Sequence, residues 1–399
     1  MFGSFRLGTI LGIPVSANWS VLLIAGLIAW SLAGQLLPVQ VPGLDAGVYW
    51  LAGALAAAFF LGSLLAHELS HAIIARREGL TVSGITLWLL GGVARMDGDA
   101  PTPGAEARIA GVGPLTSFVL ALVFGAAAAA LTLAASGELA ALAAASAGWL
   151  ALVNLVLAVF NLLPGAPLDG GRIARSIIWR LRGDKRQATR WSTGLGQVLG
   201  YGLIGLGLFR AFAGDLGGIW FVLLGFFLSG AAAAERQSSE LLESLRGVLV
   251  GDIMNREPLR VPGGLTVDTF TSAAVRESRA SSWLVTGAGG SVLGVLGLDA
   301  LRSVRGDDAR STRIGELAVP IERWPVAYVD ELVLDVLQRA SSSDVRAVVR
   351  ERDPISDEVL GLLSPEDISR TVAIREAAGD RGDKRTSRGD NTDEGRVLP

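Results

Sequence analysis

The sequence predicts a polytopic α-helical membrane protein of about six transmembrane helices, followed by a cytoplasmic α/β domain. Half of the 399 residues are hydrophobic and the mean hydropathy is +0.46, a composition too apolar for one soluble domain. The charge is also divided, because residues 1–240 carry 14 basic and 12 acidic side chains whereas residues 241–399 carry 21 and 26. A net charge of −3 gives no reason to expect a nucleic-acid partner.

Six apolar stretches are about 20 residues or longer, which is enough to span a bilayer. They lie at 18–37, 47–75, 109–134, 141–163, 192–213 and 217–235. Two connections on one side of these spans contain no Lys or Arg and the third holds only Arg210, whereas the opposite side collects the other basic residues. By the positive-inside rule we expect a multi-pass protein of the cell membrane with both termini in the cytoplasm. The N-terminus lacks the layout of a signal peptide.

Two stretches depart from a plain helical pattern. The segment 84–104, "GITLWLLGGVARMDGDAPTPG", begins apolar but is broken by a Gly pair and then by prolines. We expect an extended or hairpin element at the cytoplasmic membrane edge, where its backbone must be buried in protein or line a wet cavity. The segment 162–173, "LLPGAPLDGGRI", interrupts the fourth apolar run with two prolines and three glycines. These residues predict that the helix ends in an ordered turn.

From about residue 247 the pattern changes to short β-branched strands that alternate with helical segments. Two similar units are present, the first closing with "VLGVLGLDAL" and the second with "VLGLLSPEDI". A repeat of about 60 residues indicates a duplicated module. We therefore predict a membrane domain at 1–240, two modules at 247–308 and 309–375, and a disordered polar tail at 376–399.

The second apolar stretch holds both histidines of the chain, His67 and His71, in the sequence HELSH. Side chains at positions i and i+4 share a face of a helix, so both imidazoles can reach one zinc ion. Glu68 can act as a general base toward water, while zinc lowers the pKa of that water. The alternative is two polar residues on a solvated helix face, but ionisable groups within an apolar stretch are costly and this cost favours a metal site.

A catalytic zinc uses three protein ligands and keeps one position open. The chain has no Cys and no further His, so the third ligand must be Asp or Glu. Asp169 in "PLDGG" is the strongest candidate, because it lies at the cytoplasmic end of the fourth span, as His67 and His71 lie near the cytoplasmic end of the second. The alternative is that Asp169 only caps the helix that follows it.

Three motifs together resemble the site-2 protease family of intramembrane zinc metalloproteases, peptidase family M50, over roughly residues 1–235. They are HELSH on the second span, "GVGPLTS" (111–117) at the third, and the N-x-x-P-x-x-x-x-D-G pattern that runs from Asn161 to Gly170. The resemblance implies that Asp169 is the third zinc ligand and that Asn161 lies in the site, where its amide can stabilise an oxyanion. The alternative for Asn161 is a hydrogen bond between helices.

The same resemblance gives expectations for two further segments. The stretch 84–96 resembles the family's membrane-embedded strand, which can pair with an unwound substrate segment. Gly113-Pro114 matches a family signature and is expected to be a packing element.

The C-terminal pair resembles two cystathionine-β-synthase (CBS) modules over about 247–371. The resemblance implies a regulatory role, a homodimer formed through the modules, and an adenine nucleotide held by a Ser/Thr-x-x-Asp element. The second module keeps this element as Ser364 and Asp367, whereas the first lacks the hydroxyl. The alternative for Ser364 is a helix N-cap.

These observations predict an intramembrane zinc endopeptidase with one zinc ion per subunit. Its expected substrate is a transmembrane segment of a single-pass membrane protein, cut in regulated intramembrane proteolysis. The alternative is a CBS-regulated, metal-dependent transporter or channel, which should string polar residues along a path through the bilayer. The outer halves of the spans are almost purely Ala, Leu, Val and Gly, which favours a site reached from the cytoplasm.

Overall fold

The computed structural model describes residues 3–88, 91–277, 281–304, 306, 308–339, 346–352 and 359–375. The chain divides into two compact units, Met1–Gln237 and Ser238–Pro399, and each is described by itself. The tail predicted at 376–399 lies outside the described residues.

Long helices make up most of the first unit. In chain order the helices are α1 (Ser20–Gln40, with a π-helical turn at Leu32–Leu36), α2 (Ala46–Arg77), α3 (Pro103–Ala134), α4 (Glu138–Asn161), α5 (Asp169–Arg182), α6 (Lys185–Phe212) and α7 (Gly218–Ser244). Within the described part of the chain, all of them except α5 are long and apolar enough to cross a membrane. The prediction of a multi-pass helical protein with about six spans is confirmed.

Side-chain caps fix where three of these helices begin. The carboxylate of Asp45 accepts a hydrogen bond from the amide of Gly47 at the start of α2. Thr102 accepts from Ala105 at the start of α3, and Asp184 accepts in the same way at the start of α6. Such caps satisfy amide groups that the first turn of a helix leaves without partners.

A four-stranded sheet accompanies the helices. Its strands are β1 (Ser4–Ile10), β2 (Ile13–Asn18), β3 (Thr81–Trp88) and β4 (Gly91–Asp97), and their spatial order is β1-β2-β3-β4. β1 and β2 form an antiparallel hairpin, β2 runs parallel to β3, and β3 and β4 form a second antiparallel hairpin. The hairpin predicted within 84–104 is confirmed, whereas the strands β1 and β2 were not predicted.

The inner face of this sheet packs against α2. Ile13 on β2 and Ile85 on β3 are fully buried with Leu64 and Ala72 of α2. The alternating burial along β3 shows that one face is turned to the helix and the other away from it. This contact holds the β3–β4 hairpin beside the part of α2 that contains His67 and Glu68.

The second unit contains two small α/β modules. The first sheet has the order β5-β6-β7-β8, with strands Arg260–Pro262, Ser282–Thr286, Val292–Gly297 and Val319–Pro320, and the second has the order β11-β10-β9, with strands Val359–Leu363, Ala347–Arg350 and Val326–Tyr328. Helices α8 to α13 are Val250–Ile253, Val267–Glu277, Leu298–Ser303, Asp308–Ser311, Ile314–Leu317 and Val333–Arg339, and α14 spans 365–375.

The two modules share one pairing pattern. β5 is parallel to β6, which is antiparallel to β7. In the same way β9 is parallel to β10, which is antiparallel to β11. Each module also has a single-turn helix formed by an equivalent sequence, VGDI in α8 and IGEL in α12. The predicted α/β fold with an internal repeat is confirmed.

Candidate metal centre

His67 and His71 lie one turn apart on α2 and turn their imidazoles toward the same point. Their Nε2 atoms are 3.1 Å apart. Both residues are buried, with exposed fractions of 3% and 4%. This is the convergence expected for side chains at positions i and i+4 of a helix.

Asp169 is the first residue of α5, and its side chain reaches the two histidines. Its Oδ2 atom lies 3.2 Å from Nε2 of His67 and 3.2 Å from Nε2 of His71. The N-cap position of α5 belongs to Leu168, and no side chain caps the helix there. The carboxylate is therefore directed to the imidazoles, and the alternative of a helix cap does not describe it.

Hydrogen bonds on the far side of the imidazoles orient the two rings. Nδ1 of His71 lies 2.6 Å from the backbone oxygen of Ile109. A carbonyl oxygen can only accept, so this Nδ1 carries a hydrogen, and Nε2 of the neutral ring then presents a lone pair. Nδ1 of His67 lies 2.9 Å from Oγ of Ser117, a hydroxyl that can accept in the same way.

With both rings neutral and protonated at Nδ1, three acceptor atoms converge in one buried place. Such atoms repel one another unless a cation lies among them, and the three residues form a group that can hold a metal ion. Tetrahedral zinc with bonds of about 2.0–2.1 Å places its ligands about 3.3 Å apart, close to the observed 3.1 and 3.2 Å. Two imidazoles and one carboxylate are also a donor set that catalytic zinc uses. The residues present thus fit this metal.

Glu68 lies beside this group and against strand β4. Its carboxylate interacts electrostatically with His67, His71 and Asp169, and it forms a hydrogen bond with the backbone of Ala94. A side chain on Gly92 would lie 2.3 Å from Cγ of Glu68. The absence of a side chain at Gly92 lets β4 approach the carboxylate closely.

Gly113 of α3 leaves space for the imidazoles of His67 and His71. A Cβ atom at this position would lie 2.2 Å from Nε2 of His71 and 2.7 Å from Nε2 of His67. The packing role predicted for Gly113-Pro114 thus has specific partners, because the rings of His67 and His71 occupy the space that a side chain at residue 113 would fill. Ser117 lies four residues later on the same face of α3 and contacts His67.

Two contacts fix the helix that carries Asp169. Side chains at Gly170 and Gly171 would lie 2.3 Å from backbone atoms of the 162–166 turn, so only glycine permits this approach. Farther along α5, Arg175 pairs with Glu106 of α3. Glu106 is fully buried, and breaking a buried ion pair leaves a charge without compensation. This pair therefore anchors α5 to the helix that contacts both histidines.

Two asparagines on α4 differ in what they contact. The amide of Asn161 donates to the backbone oxygen of Leu157 at 3.0 Å, which uses one of its two hydrogens. The role of Asn161 as an oxyanion donor stays a prediction. Asn154 is fully buried and donates to Leu150 and, at 3.4 Å, to Ser63 of α2. The hydrogen bond between helices that was considered for Asn161 is made by Asn154.

Ser364 and Asp367 lie in the second unit, at the start of α14. Oδ2 of Asp367 accepts hydrogen bonds from the amide of Ser364 at 3.1 Å and from its hydroxyl at 2.6 Å. Ser364 therefore occupies the helix N-cap, which is the alternative role considered for this residue in the sequence. The two residues also line a cavity of about 580 Å³, together with Asn255, Arg256 and Arg370.

Sequence reasoning did not find Ser117, Gly92 or the carbonyl of Ile109 as parts of the site. The position of Ser117 could have indicated a place in the site, because it follows Gly113 by four residues on a helix and therefore shares its face. Gly92 and Ile109 act through backbone position, which no spacing in the sequence indicates.

Comparison with known proteins shows the family of the chain. The model of peptidase family M50 matches residues 55–137 and 128–201. Rip3 of Mycobacterium tuberculosis is 41% identical over 94% of this chain and 94% of its own length. The zinc metalloprotease MJ0392 of Methanocaldococcus jannaschii is 25% identical over 94% of this chain and 97% of its own length. A solved site-2 protease of the same organism is 26% identical, covers 59% of this chain and 95% of its own, and has a TM-score of 0.39. The resemblance in the motifs is thus confirmed, and the chain belongs to peptidase family M50.

Proposed function

We propose that this protein is an intramembrane zinc endopeptidase that cleaves a transmembrane segment of a single-pass membrane protein, as a step of regulated intramembrane proteolysis. The observation that carries the proposal is the convergence of two Nε2 atoms and one carboxylate oxygen beside Glu68. His67, His71 and Asp169 would hold one zinc ion, which supplies a Lewis acid that polarises a carbonyl and lowers the pKa of water.

The residues of the chain divide the remaining tasks. Glu68 takes a proton from the attacking water and later gives it to the leaving amine, as a general base and then a general acid. Ile109 and Ser117 hold the two imidazoles in the orientation that directs Nε2 to the site. Asn161 is proposed to donate its second amide hydrogen to the oxyanion that forms on the substrate.

The substrate is proposed to pair with the edge of β4. The sheet order places β4 at an edge, and no strand lies beyond it among the described residues. Because backbone groups alternate along a strand and that of Ala94 faces Glu68, those of Gly92 and Met96 face the same way. An extended peptide added at this edge would place a carbonyl group near Glu68 by β-augmentation.

Helix breakers in the substrate should therefore control the cleavage rate. A strain that carries Glu68→Ala should accumulate the uncut substrate, which comparative membrane proteomics identifies. Replacing two glycines near its cut site by leucine should slow cleavage roughly 15- to 30-fold, because each change stabilises the helix by about 0.8–1 kcal/mol. The control replaces two residues by leucine at the far end of the same span. Equal rates for both substrates would contradict strand pairing.

The second candidate function, a metal transporter or channel regulated by CBS modules, is not favoured. Membership of a peptidase family speaks against it. The presence of Glu68 beside the proposed metal ligands also speaks against a transporter, because transport needs metal ligands but no general base.

The tandem CBS pair is proposed to regulate the protease by binding an adenine nucleotide and to support a homodimer. The cavity beside Ser364 and Asp367 has a suitable volume of about 580 Å³. Arg256 and Arg370 in its wall can pair with phosphate groups, and the second carboxylate oxygen of Asp367 can accept from ribose hydroxyls.

Calorimetric titration of ATP, ADP and AMP into the full-length protein should detect this nucleotide. Asp367→Asn should weaken binding about tenfold or more, because a hydrogen bond to a charged group contributes about 1.5–3 kcal/mol. Asparagine keeps a side-chain oxygen that can accept the hydrogen bonds of Ser364 at the start of α14. The control is Asp268→Asn, which removes an exposed carboxylate at the first turn of α9. No heat with any of the three nucleotides, or equal affinity in both variants, would contradict the assignment.

A further inference from the structure

Helix α5 has an apolar stripe that the rest of the first unit leaves uncovered. Ile173, Ile177 and Leu181 recur every four residues and therefore share one face. Ile177 and Leu181 are 53% and 79% exposed. With 14 residues α5 is about 21 Å long, too short to cross a bilayer. It connects α4 and α6, two helices that are long enough, so it must lie where the chain leaves and re-enters the membrane.

Basic residues flank this stripe and continue into α6. Arg172, Arg175, Arg180, Arg182, Lys185, Arg186 and Arg190 lie between 172 and 190, where Asp184 is the only acidic residue. Arg175 is used by Glu106, and Lys185 lies 3.0 Å from Asp99. Arg180, Arg182 and Arg190 are exposed. The surface formed by α5 and the first turns of α6, here called the α5 surface, is therefore strongly cationic.

Tryptophans lie among these charges. Lys185 stands 4.9 Å from the ring centre of Trp179, and Arg182 stands 5.9 Å from that of Trp191. Trp191 is 53% exposed. Aromatic rings with a polar edge are favoured at the level of lipid headgroups. An amphipathic helix with an apolar stripe, arginines and interfacial tryptophans has the pattern of helices that lie in the plane of a membrane surface.

We propose that the α5 surface binds the headgroups of anionic phospholipids, with Ile177 and Leu181 inserted among the acyl chains. The charge complementarity selects anionic over zwitterionic lipid, because a zwitterionic headgroup offers no net charge to the arginines. The apolar stripe selects a lipid over a soluble anion, because free phosphate has nothing to cover Leu181. Asp169 begins this helix, so the bound lipid also borders the element that supplies a side chain to the metal centre.

Native mass spectrometry of the full-length protein in detergent tests the proposal with added phosphatidylglycerol or phosphatidylcholine. The double variant Arg180→Gln/Arg190→Gln should bind phosphatidylglycerol about 30-fold more weakly, since each charge near an anionic surface contributes a factor of about five. Phosphatidylcholine binding should not change. The matched control is Arg302→Gln/Arg323→Gln, which removes the same charge from exposed positions in the second unit and should bind both lipids as the natural protein does.

Two further measurements separate the lipid from other anions. Leu181→Gln keeps every charge and should also weaken phosphatidylglycerol binding, whereas inorganic phosphate at constant ionic strength should not displace the lipid. Unchanged lipid binding in either the double arginine variant or Leu181→Gln would overturn the proposal. Displacement by phosphate, or displacement by an acidic peptide at equal charge concentration, would overturn it as well. None of these readouts depends on peptidase activity, so they are independent of the proposed function.

Discussion

Replacing Glu68 by glutamine is expected to abolish peptide cleavage while zinc remains bound. Glutamine has nearly the same shape but cannot take a proton from water, and general base catalysis contributes on the order of 10²–10⁴-fold to a rate. The three residues proposed to hold the metal are His67, His71 and Asp169, so the loss of the Glu68 carboxylate leaves the proposed ligand set intact. Zinc content by atomic spectroscopy and cleavage of the identified substrate are the two measurements.

Two comparison variants make this result specific. Glu78→Gln removes a carboxylate at the end of the same helix, where it pairs with Arg108, and it should leave both cleavage and zinc content unchanged. Asp169→Ala should lose zinc together with activity, because two histidines alone make a weak site. Full activity in Glu68→Gln would end the protease proposal, and full zinc content in Asp169→Ala would remove Asp169 from the ligand set.

Replacing Gly113 by alanine is expected to remove the metal through a single methyl group. The new Cβ atom would lie 2.2 Å from Nε2 of His71 and 2.7 Å from Nε2 of His67, far inside van der Waals contact. The rings must turn away, and the three acceptor atoms then no longer converge. We expect metal affinity to fall by about 100-fold or more, at least as much as when the groups that orient metal ligands are lost. Competition with a chelator measures this affinity.

Gly111→Ala is the control for this experiment. Gly111 lies on the same helix two residues earlier, and a Cβ atom there would meet nothing within 4 Å. Alanine is a better helix former than glycine by about 0.8–1 kcal/mol in soluble hosts, so this variant should fold at least as well and keep its metal. Equal metal affinity in both variants would contradict this prediction, because it would show that the imidazoles can shift away from the new methyl group and still bind the metal.

The sequence predicts the parts of this protein that are determined by long or closely spaced patterns. Six helices follow from apolar stretches long enough to span a bilayer. The pairing of His67 with His71 follows from helical spacing. The absence of Cys and of a third His restricted the third ligand to Asp or Glu. The membrane level of Asp169 and the family resemblance selected this residue, and the structure brings its carboxylate within 3.2 Å of both rings.

What the sequence does not predict depends on contacts between distant segments. β2 alternates buried and exposed residues over only six positions and adjoins a long apolar stretch, so its short period is easily overlooked. Gly92 approaches Glu68 only because β3 packs on α2. Ser364 illustrates a second kind of feature that the sequence does not settle. Its side chain takes part in a helix cap and also lines a cavity, and the sequence alone does not distinguish these two roles.

The edge of β4 has a consequence for the second reactant of hydrolysis. Backbone N–H and C=O groups that face away from β3 have no strand partner among the described residues, and in hydrocarbon each such group would cost several kcal/mol. We therefore expect these groups to bind water when no peptide is paired with them, beside the carboxylate of Glu68. In the proposed mechanism, the strand edge that pairs with the substrate thus also holds the water that hydrolysis consumes. A tightly bound strand mimic would inhibit in two ways, because it would occupy the substrate's place and dry the site.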